Sequence, residues 1–279
     1  MNNTSDSHIR KTLLHYYPVQ EVAALSRIIC CEMLGQSAVD YYLGKDIILS
    51  SKEEQELETI LSRLCNFEPI QYVQGFAHFL GRRFRVAPGV LIPRPETEEL
   101  VEQMLKEIAP DARILDIGTG SGCIAVSLSK ELPKAQVSAW DISEQALIIA
   151  RSNNEALQSS VRFVQCDVLT CQPTSQERYD VIVSNPPYVL EEEKQDMERN
   201  VLDWEPSLAL FVPNTDPLRF YRRIAELAMT LLESGGKLYF EINRAFGEAT
   251  VAMLSEQGYT NIRIKKDISG NDRFVIAER

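Results

Sequence analysis

Residues 184–188, with the sequence S-N-P-P-Y, combine groups that could hold a planar ligand bearing an NH2. They follow an apolar, β-branched run at 179–183, which predicts a buried parallel strand ending at the motif. Two consecutive prolines cannot continue a strand ladder or a helix interior, so the carbonyls of Asn185 and Pro186 should be free as acceptors. The Asn185 amide both donates and accepts hydrogen bonds, and Tyr188 adds an aromatic face. Because ligands of open α/β sheets bind at the carboxyl ends of strands, a pocket is predicted here.

A second candidate site follows the strand predicted at 113–117. The sequence from Asp116 to Gly122 reads D-x-G-x-G-x-G and opens a helix. Glycines allow the backbone to approach a ligand closely, and the start of a helix exposes amides. The dinucleotide fingerprint G-x-G-x-x-G fails because the sixth position, counted from Gly118, is Cys123. A carboxylate at Asp116 would repel a pyrophosphate, whereas it suits a cationic aminoacyl group.

Acidic residues also end the next two predicted strands. Asp141 ends the second strand, where a carboxylate can bind both hydroxyls of a ribose. Asp167 follows the third strand and could accept from the exocyclic amine of an adenine, with Val168 packed on the ring. Acids at three successive strand ends, beside a glycine-rich turn, indicate S-adenosylmethionine as the cofactor.

The rest of residues 96–279 predicts the sheet that positions these groups. Strands and helices alternate from Arg113 onward, so we predict an α/β fold with a doubly wound, Rossmann-like, mostly parallel sheet of seven strands. The strands are predicted near 113–117, 136–141, 161–166, 179–184, 236–242, 261–264 and 273–277. The helices are predicted near 123–131, 144–157, 218–232 and 248–257.

Residues 1–74 predict a small all-helical domain. Its helices are expected near 9–15, 19–34, 37–43 and 52–65, after which residues 69–73 are expected to leave the helical part. Ser51 and Glu54 have the spacing of a capping box at the start of the last helix. The apolar residues that should bury one face of that helix are Leu57, Ile60, Leu61 and Leu64. Two roles are open, a structural appendage or a domain that recognises a macromolecular substrate.

Residues 75–95 predict a β-hairpin linker between these domains. Thr97 can cap the following helix, whose first turn carries two glutamates. Arg94 and Glu96 lie around a proline, and either they contact the substrate or they form salt bridges that fix the hinge.

Composition excludes several classes of protein. The net charge of −11 over 279 residues disfavours a protein that holds nucleic acid mainly through its phosphates. No apolar stretch approaches the roughly 20 residues of a membrane span, and the polar start lacks a signal-peptide core, so we expect a cytoplasmic protein without a membrane partner. The six cysteines form no C-x-x-C pair and no histidine has zinc-site spacing, which predicts reduced thiols and no metal.

Taken together, these motifs resemble the peptide chain release factor N5-glutamine methyltransferase family, a group of class I S-adenosylmethionine-dependent methyltransferases with an N-P-P-Y motif. The resemblance covers nearly the whole chain. It rests on 79–84, 91–98, 116–122, 184–188, 205–206 and 267–273. Asn243, where many relatives have a glycine, and the loop at 211–216 depart from the family pattern.

The resemblance implies a substrate, a cofactor and a set of site residues. The expected reaction is methylation of N5 of the glutamine in the Gly-Gly-Gln motif of class 1 release factors. The cofactor would be bound by Gly118, Thr119, Gly120, Ser121, Gly122, Asp141, Val168 and Asn185, beside the Asp116 and Asp167 inferred above. The substrate glutamine would be bound by Asn185, Pro186, Pro187 and Tyr188, of which Asn185, Pro186 and Tyr188 are the expected catalytic residues.

The expected mechanism is orientation of a poorly nucleophilic amide. The Asn185 side-chain oxygen and the Pro186 carbonyl would accept the two N–H bonds of the glutamine amide, and Tyr188 would stack on or flank its plane. No base is required before transfer.

Two alternatives stay open, an adenine-N6 DNA methyltransferase and a non-catalytic protein that binds a translation factor. The acidic charge and the lack of a sizeable basic recognition domain argue against the first. An intact N-P-P-Y motif and cofactor turn argue against the second. We expect a monomer without a stable nucleic-acid partner.

Overall fold

The computed structural model describes residues 4–172 and 177–279. Contacts divide the described chain into two compact units. The first, called the helical unit, contains the residues up to Gly75 together with Glu198–Trp204. The second, called the sheet unit, contains Phe76–Met197 and Glu205–Arg279. This division places the hairpin predicted at 75–95 in the sheet unit, and it adds a short later segment to the helical one.

Helices account for all of the regular structure described up to Gly75, and the later helices belong to the sheet unit, except the helix at Arg199–Leu202. The α-helices are α1 (Ser5–Leu13), α2 (Val19–Ile28), α3 (Ala38–Tyr42), α4 (Ser51–Cys65), α5 (Ile70–Gln74), α6 (Pro95–Glu107), α7 (Cys123–Glu131), α8 (Glu144–Ala156), α9 (Arg199–Leu202), α10 (Ser207–Leu210), α11 (Arg219–Leu231) and α12 (Gly247–Glu256). A π-helical turn at Ile29–Met33 extends α2, and 3-10 helices lie at Glu191–Asp196 and Arg244–Phe246.

The described strands all belong to the sheet unit. They are β1 (Phe76–Phe79), β2 (Arg82–Arg85), β3 (Arg113–Ile117), β4 (Gln136–Asp141), β5 (Val161–Gln165), β6 (Tyr179–Ser184), β7 (Val189–Leu190), β8 (Phe211–Val212), β9 (Leu232–Glu241), β10 (Thr260–Lys266) and β11 (Asp272–Glu278). β1 and β2 form the predicted hairpin, and β7 pairs with β8.

The main sheet has seven strands in the order β10-β11-β9-β6-β3-β4-β5. Its central pairs are parallel, and β11 runs antiparallel to both β9 and β10. The strand order along the sheet reverses its direction between β3 and β6. The carboxyl ends of these two neighbouring strands therefore border the crevice where doubly wound sheets bind ligands. The predicted fold class is therefore confirmed.

The helical unit is held by an apolar core to which α1, α2 and α4 contribute. The predicted inner face of α4 is confirmed, since Leu57, Ile60, Leu61 and Leu64 are all buried. The later segment Glu198–Trp204 also belongs to this unit. The Trp204 indole N–H donates to the Asn66 carbonyl at 3.1 Å. The guanidinium of Arg199 lies 4.1 Å from the centre of the Phe67 ring, at cation–π distance.

Two predictions for the helical part are wrong. The capping box uses Ser50 and Glu53 rather than Ser51 and Glu54: the Ser50 N–H donates to Glu53 Oε2 at 2.7 Å, and Ser51 is already helical. The chain also does not leave the helices at 69–73, because Pro69 introduces α5. A proline suits that position because the first turn of a helix has no partner for its N–H.

Two predictions for the sheet unit are also wrong. Thr97 does not cap α6, which begins at Pro95 with Arg94 as its N-cap residue and no side-chain cap. β9 begins at Leu232, four residues before the predicted start at Gly236. Its register against β6 shifts between Tyr179 and Val181, opposite a stretch that contains Gly235 with a φ of 77°. Glycine permits such a bulge within a strand.

Within the described residues, none of the helices is both long enough and apolar enough to cross a membrane.

Candidate active site

A cleft opens at the carboxyl ends of the parallel strands, entirely within the sheet unit. Its empty volume, counted to the open mouth, is about 1040 Å³. The predicted residues that line it are Gly118, Gly120, Asp141, Asp167, Val168, Asn185, Pro186 and Pro187. The structure thus brings the three motifs of the sequence to one place.

The glycine-rich turn presents backbone to this cleft. Gly118 and Gly120 have φ values of 77° and 54°, and a Cβ atom placed on either would meet no heavy atom within 4 Å. The space in front of both residues is therefore open for a ligand. Gly122 differs, because a Cβ there would lie 3.1 Å from the Cβ of Ala150 in α8. Its glycine is explained by the packing of α7 on α8.

Four of the predicted cofactor residues do not line the cleft. Asp116, Thr119 and Ser121 are buried beneath the turn, and Gly122 faces α8. The Thr119 hydroxyl donates to Asp116 Oδ2 at 2.6 Å. Burial raises the pKa of Asp116 to about 7, against an ordinary value of 3.8. These side chains support the turn from inside the fold.

Asp141 faces the cleft with its carboxylate held by two backbone amides. The Gly120 N–H donates to Oδ2 at 2.8 Å and the Ser143 N–H donates to Oδ1 at 2.9 Å. Burial raises the pKa of Asp141, and these backbone hydrogen bonds oppose the rise. Each oxygen keeps a lone pair that could accept from a ligand hydroxyl.

Asp167 and Val168 line the same cleft beyond the end of β5. The Asp167 carboxylate accepts from the Leu169 N–H at 2.9 Å and from the Thr170 hydroxyl at 3.0 Å. These bonds fix the carboxylate as in an ordinary turn cap, and they leave lone pairs for a further donor. The side chains of Phe220 and Ile224 add apolar surface to the lining.

Asn185 is the polar side chain of the N-P-P-Y segment that lines the cleft. Its Nδ2 donates to the Thr97 hydroxyl oxygen at 3.2 Å. Among the described residues, none donates a hydrogen bond to the Pro186 carbonyl, so that oxygen is available to a ligand. The two prolines, as expected, keep the backbone here out of any ladder.

Tyr188 packs against the core of the sheet unit and forms a hydrogen bond on β9. It is not among the residues that line the cleft, and its hydroxyl donates to Glu241 Oε1 at 3.1 Å. Burial raises the pKa of the Tyr188 hydroxyl, and the adjacent Glu241 carboxylate raises it further. The hydroxyl is therefore a stable donor to Glu241 at neutral pH.

Sequence reasoning missed Thr97 and Glu241. Thr97, in the first turn of α6, donates its hydroxyl to Glu241 Oε2 at 2.7 Å, across 144 residues of sequence. Glu241 ends β9, so the rule that singled out Asp116 and Asp141, an acid at a strand end, could have found it. Thr97 carried no such signal, because a threonine near a helix start ordinarily indicates a cap.

Arg94 forms a salt bridge, which was one of the two roles considered for it. Its Nη2 donates to Glu205 Oε1 at 2.6 Å, and Glu205 Oε2 accepts from the Ile92 N–H at 3.0 Å. The Glu205 side chain is only 1% exposed, so this pair fastens the segment before α6 to the segment before α10. Pro206, the next residue, lines the cleft.

In residues 4–172 and 177–279, no three His, Cys, Asp or Glu side chains lie close enough together to hold a metal ion. The six cysteines are free thiols, and Cys166 lines the cleft beside Asp167.

Comparisons with known proteins agree with this geometry. Residues 95–203 match the family described as "Methyltransferase small domain", and residues 8–75 match the "PrmC N-terminal domain". The crystal structure of a methyltransferase from Pyrococcus furiosus superposes with a TM-score of 0.52 at 18% identity, covering 82% of this chain and 98% of that one, and so shares its fold.

The sequence relatives are closer. A release factor glutamine methyltransferase from Bacteroides thetaiotaomicron is 59% identical over 277 residues, which are 99% of this chain and 100% of the relative. Another from Flavobacterium psychrophilum is 43% identical over 95% of this chain and 94% of its own length. An identity of this size over both units means that the chain belongs to the release factor glutamine methyltransferase family.

Proposed function

We propose that this chain transfers a methyl group from S-adenosylmethionine to N5 of the glutamine in the Gly-Gly-Gln motif of class 1 release factors. The observation that carries the proposal is the shared lining of one cleft. The glycine turn and Asp141 lie on one side of the sheet's switch point, and Asn185 to Pro187 lie at the end of the neighbouring strand. A nucleoside and an amide bound to these two groups would meet at the same edge.

The residues present fit S-adenosylmethionine. The open space in front of Gly118 and Gly120 admits a ligand against the backbone, and Asp141 offers lone pairs for two ribose hydroxyls. Asp167 would accept from the adenine amine, and Val168 would pack on the ring. Asp116, Thr119, Ser121 and Gly122 would act on the cofactor through the shape of the turn that they support. When bound, the cofactor supplies an electrophilic sulfonium methyl group.

The acceptor amide would be oriented by Asn185 and Pro186. The Asn185 Oδ1 and the Pro186 carbonyl would each accept one N–H bond of the glutamine side chain, which directs the nitrogen lone pair toward the methyl group. Pro187 would hold that backbone extended. Tyr188 would contribute indirectly, through the hydrogen bond that it donates to Glu241.

No general base is assigned before transfer. A carboxamide nitrogen gains acidity only once it is methylated, so its proton can leave afterwards to water at the open mouth of the cleft. The two carboxylates that line the cleft have other proposed tasks, since Asp141 and Asp167 would hold the cofactor.

We further propose that the protein acts in the cytoplasm as a monomer, without a stable nucleic-acid partner. The net charge of −11 supports the absence of a nucleic-acid partner, because nucleic-acid binding relies on neutralising phosphates. Sedimentation of the purified chain alone, and with release factor or with DNA, would test the oligomeric state and the absence of a nucleic-acid partner.

The decisive experiment supplies methyl-labelled cofactor with three acceptors in separate reactions: an unmethylated class 1 release factor, the same factor with the motif glutamine changed to asparagine, and DNA. We expect label only in the first, and peptide mass spectrometry should place one methyl group on the glutamine side chain. Label on DNA would support the adenine-N6 alternative. Cofactor binding without any labelled product would support a non-catalytic binding protein.

A further inference from the structure

A hydrogen-bonded chain joins both polar side chains of the N-P-P-Y segment to one carboxylate. Asn185 Nδ2 donates to Thr97 Oγ1, Thr97 Oγ1 donates to Glu241 Oε2, and the Tyr188 hydroxyl donates to Glu241 Oε1. Thr97 is 3% exposed and Glu241 is 1% exposed, so water does not compete for these bonds. Neither residue lines the cleft.

The direction of each bond in this chain is set by chemistry. While Glu241 is ionised, its carboxylate only accepts hydrogen bonds, so the single hydrogen of the Thr97 hydroxyl must point at Glu241. The Thr97 oxygen then has only lone pairs to offer Asn185. The Asn185 amide must therefore turn its NH2 toward Thr97, and its Oδ1 remains for the cleft.

We infer that Thr97 and Glu241 are positioning residues that fix the Asn185 amide with its oxygen toward the substrate. This inference rests on the proposed function, because it matters only where the ligand donates N–H bonds to Asn185. With the amide reversed, its NH2 would face the N–H bond that the glutamine side chain directs at Asn185, and that hydrogen bond could not form. The hydrogen bonds that join Asn185, Thr97 and Glu241 are called the relay below. The relay selects a ligand that donates an N–H bond to Asn185, at the place where the nitrogen that receives the methyl group must lie.

The ionisation state of Glu241 controls the relay. Burial raises the pKa of Glu241 above its ordinary value. The hydrogen bonds from Thr97 and Tyr188 and the positive charge of Arg273 oppose part of this rise. The other titratable groups that act on this carboxyl are Glu96, Tyr221 and Cys123. Once protonated, Glu241 could donate to Thr97, whose hydrogen would then be free to donate to Asn185 Oδ1. The amide would be reversed.

The test compares Thr97→Val, which keeps the side-chain shape without the hydroxyl, with Thr97→Ser, which keeps the hydroxyl. Thr250→Val is the matched control, because Thr250 is also fully buried with its hydroxyl bonded, in this case to the Phe246 carbonyl of the same helix region at 2.8 Å. For each variant we would measure kcat and KM with release factor, cofactor Kd by calorimetry, and thermal unfolding.

We expect Thr97→Val to lower kcat by about 10- to 100-fold, a loss somewhat smaller than that of a donor in direct contact with the reacting atoms. Its KM for release factor and its cofactor Kd should stay within about threefold, because the relay acts on the orientation of one amide. Thr97→Ser should keep kcat within about threefold, and Thr250→Val should leave kcat unchanged. Equal losses of kcat in Thr97→Ser and Thr97→Val would show that Thr97 acts through side-chain packing and would overturn the inference. An unchanged kcat in Thr97→Val would overturn it as well.

A pH profile provides a second measurement that does not depend on the folding of Thr97→Val. Wild-type kcat should fall on the acid side as Glu241 is protonated, and Glu241→Gln, which cannot change charge, should lose that limb. Retention of the limb in Glu241→Gln would overturn the inference. If the wild type does not methylate release factor, the proposed function is wrong. If the wild type is active but the Thr97 and Glu241 variants do not give the expected results, only the inference about the relay is wrong.

Discussion

A single amide, that of Asn185, faces two neighbours with opposite requirements. One side must donate to Thr97, and the other lines the cleft, where the proposed substrate needs an acceptor. An asparagine meets both requirements because its planar side-chain amide carries an NH2 donor and an oxygen acceptor on either side of the same carbon atom. Aspartate would lack the donor and alanine would lack both.

Changing Asn185 to alanine should therefore affect transfer more than cofactor binding. We expect kcat to fall by about 100-fold or more, since the amide would lose one of its two aligned acceptors. Cofactor Kd should change by less than about threefold. Single-turnover transfer and calorimetry would measure the two effects, with Asn261→Ala as a control at an exposed asparagine. Normal turnover in Asn185→Ala would contradict the proposed catalytic role.

Asp141 should show the reverse pattern. Asp141→Asn keeps the shape but removes the charge and one acceptor position, so the ribose hydroxyls and the Gly120 amide would compete for fewer lone pairs. Because hydrogen bonds to charged groups contribute about 1.5–3 kcal/mol, cofactor Kd should rise by about 10- to 100-fold. At saturating cofactor, kcat should stay within about threefold. An unchanged Kd by calorimetry would contradict the ribose assignment.

The residues that sequence could identify share one property, which is that their role follows from local position. Asp141 ends a strand and Gly118 follows one, so strand prediction alone placed both at the cleft. Glu241 and Thr97 act through each other across 144 residues, and the meaning of either depends on a contact that no local pattern encodes. The hydrogen bond of Tyr188 was not predictable for the same reason, since its partner lies on β9.

Among the elements, the start of α4 offers a direct test of where a helix begins. Ser50 accepts from the Glu53 N–H and its own N–H is bound by the Glu53 carboxylate, whereas Ser51 already lies inside the helix. Ser50→Ala should lower the free energy of unfolding by about 1 kcal/mol, the usual loss at an N-cap.

Ser51→Ala is the matched variant, one position along. It should change the free energy of unfolding by less than about 0.5 kcal/mol, because alanine is favourable inside a helix. Urea unfolding followed by circular dichroism would compare the two. A larger loss for Ser51→Ala than for Ser50→Ala would restore the assignment made from sequence.

Element types were predictable where hydrophobic period and strand-end chemistry agreed. The bounds of β3, β4, β6 and α7 match the prediction to the residue, and the seven-stranded sheet and the family are confirmed. The start of β9 was not predictable, since Gly235 and Gly236 ordinarily break a strand and here occupy a bulge. The domain limits 1–74, 75–95 and 96–279 stay a prediction.

For the whole molecule, the buried Asp116 predicts a pH dependence of stability. Its pKa is about 7 in the fold against an ordinary 3.8, so the folded chain holds a proton there that the unfolded chain has lost. The stabilisation of the fold by this bound proton is fully present below about pH 4 and is lost as the pH rises through 7. Between pH 5 and pH 8, this one group should lower the free energy of unfolding by about 2–3 kcal/mol.

Asp116→Asn should remove that part of the pH dependence, because an amide keeps the acceptor for Thr119 without titrating. Urea unfolding at pH 5 and pH 8 would be followed by tryptophan fluorescence in a Trp204→Phe background, so that the buried Trp140 of β4 reports the sheet unit alone. If the Asp116→Asn substitution changed the pH response by less than about 0.5 kcal/mol, the assigned pKa shift would be contradicted.

The return of Glu198–Trp204 to the helical unit has a consequence for how such proteins can recombine. Three peptide bonds, after Gly75, Met197 and Trp204, join the two units. A single genetic crossover near residue 75 would replace the first helices with those of another protein. Arg199 and Trp204 would then contact that protein's residues in place of Phe67 and Asn66. The two pieces of the helical unit must therefore be inherited or transplanted together, although 122 residues of the sheet unit separate them in the sequence.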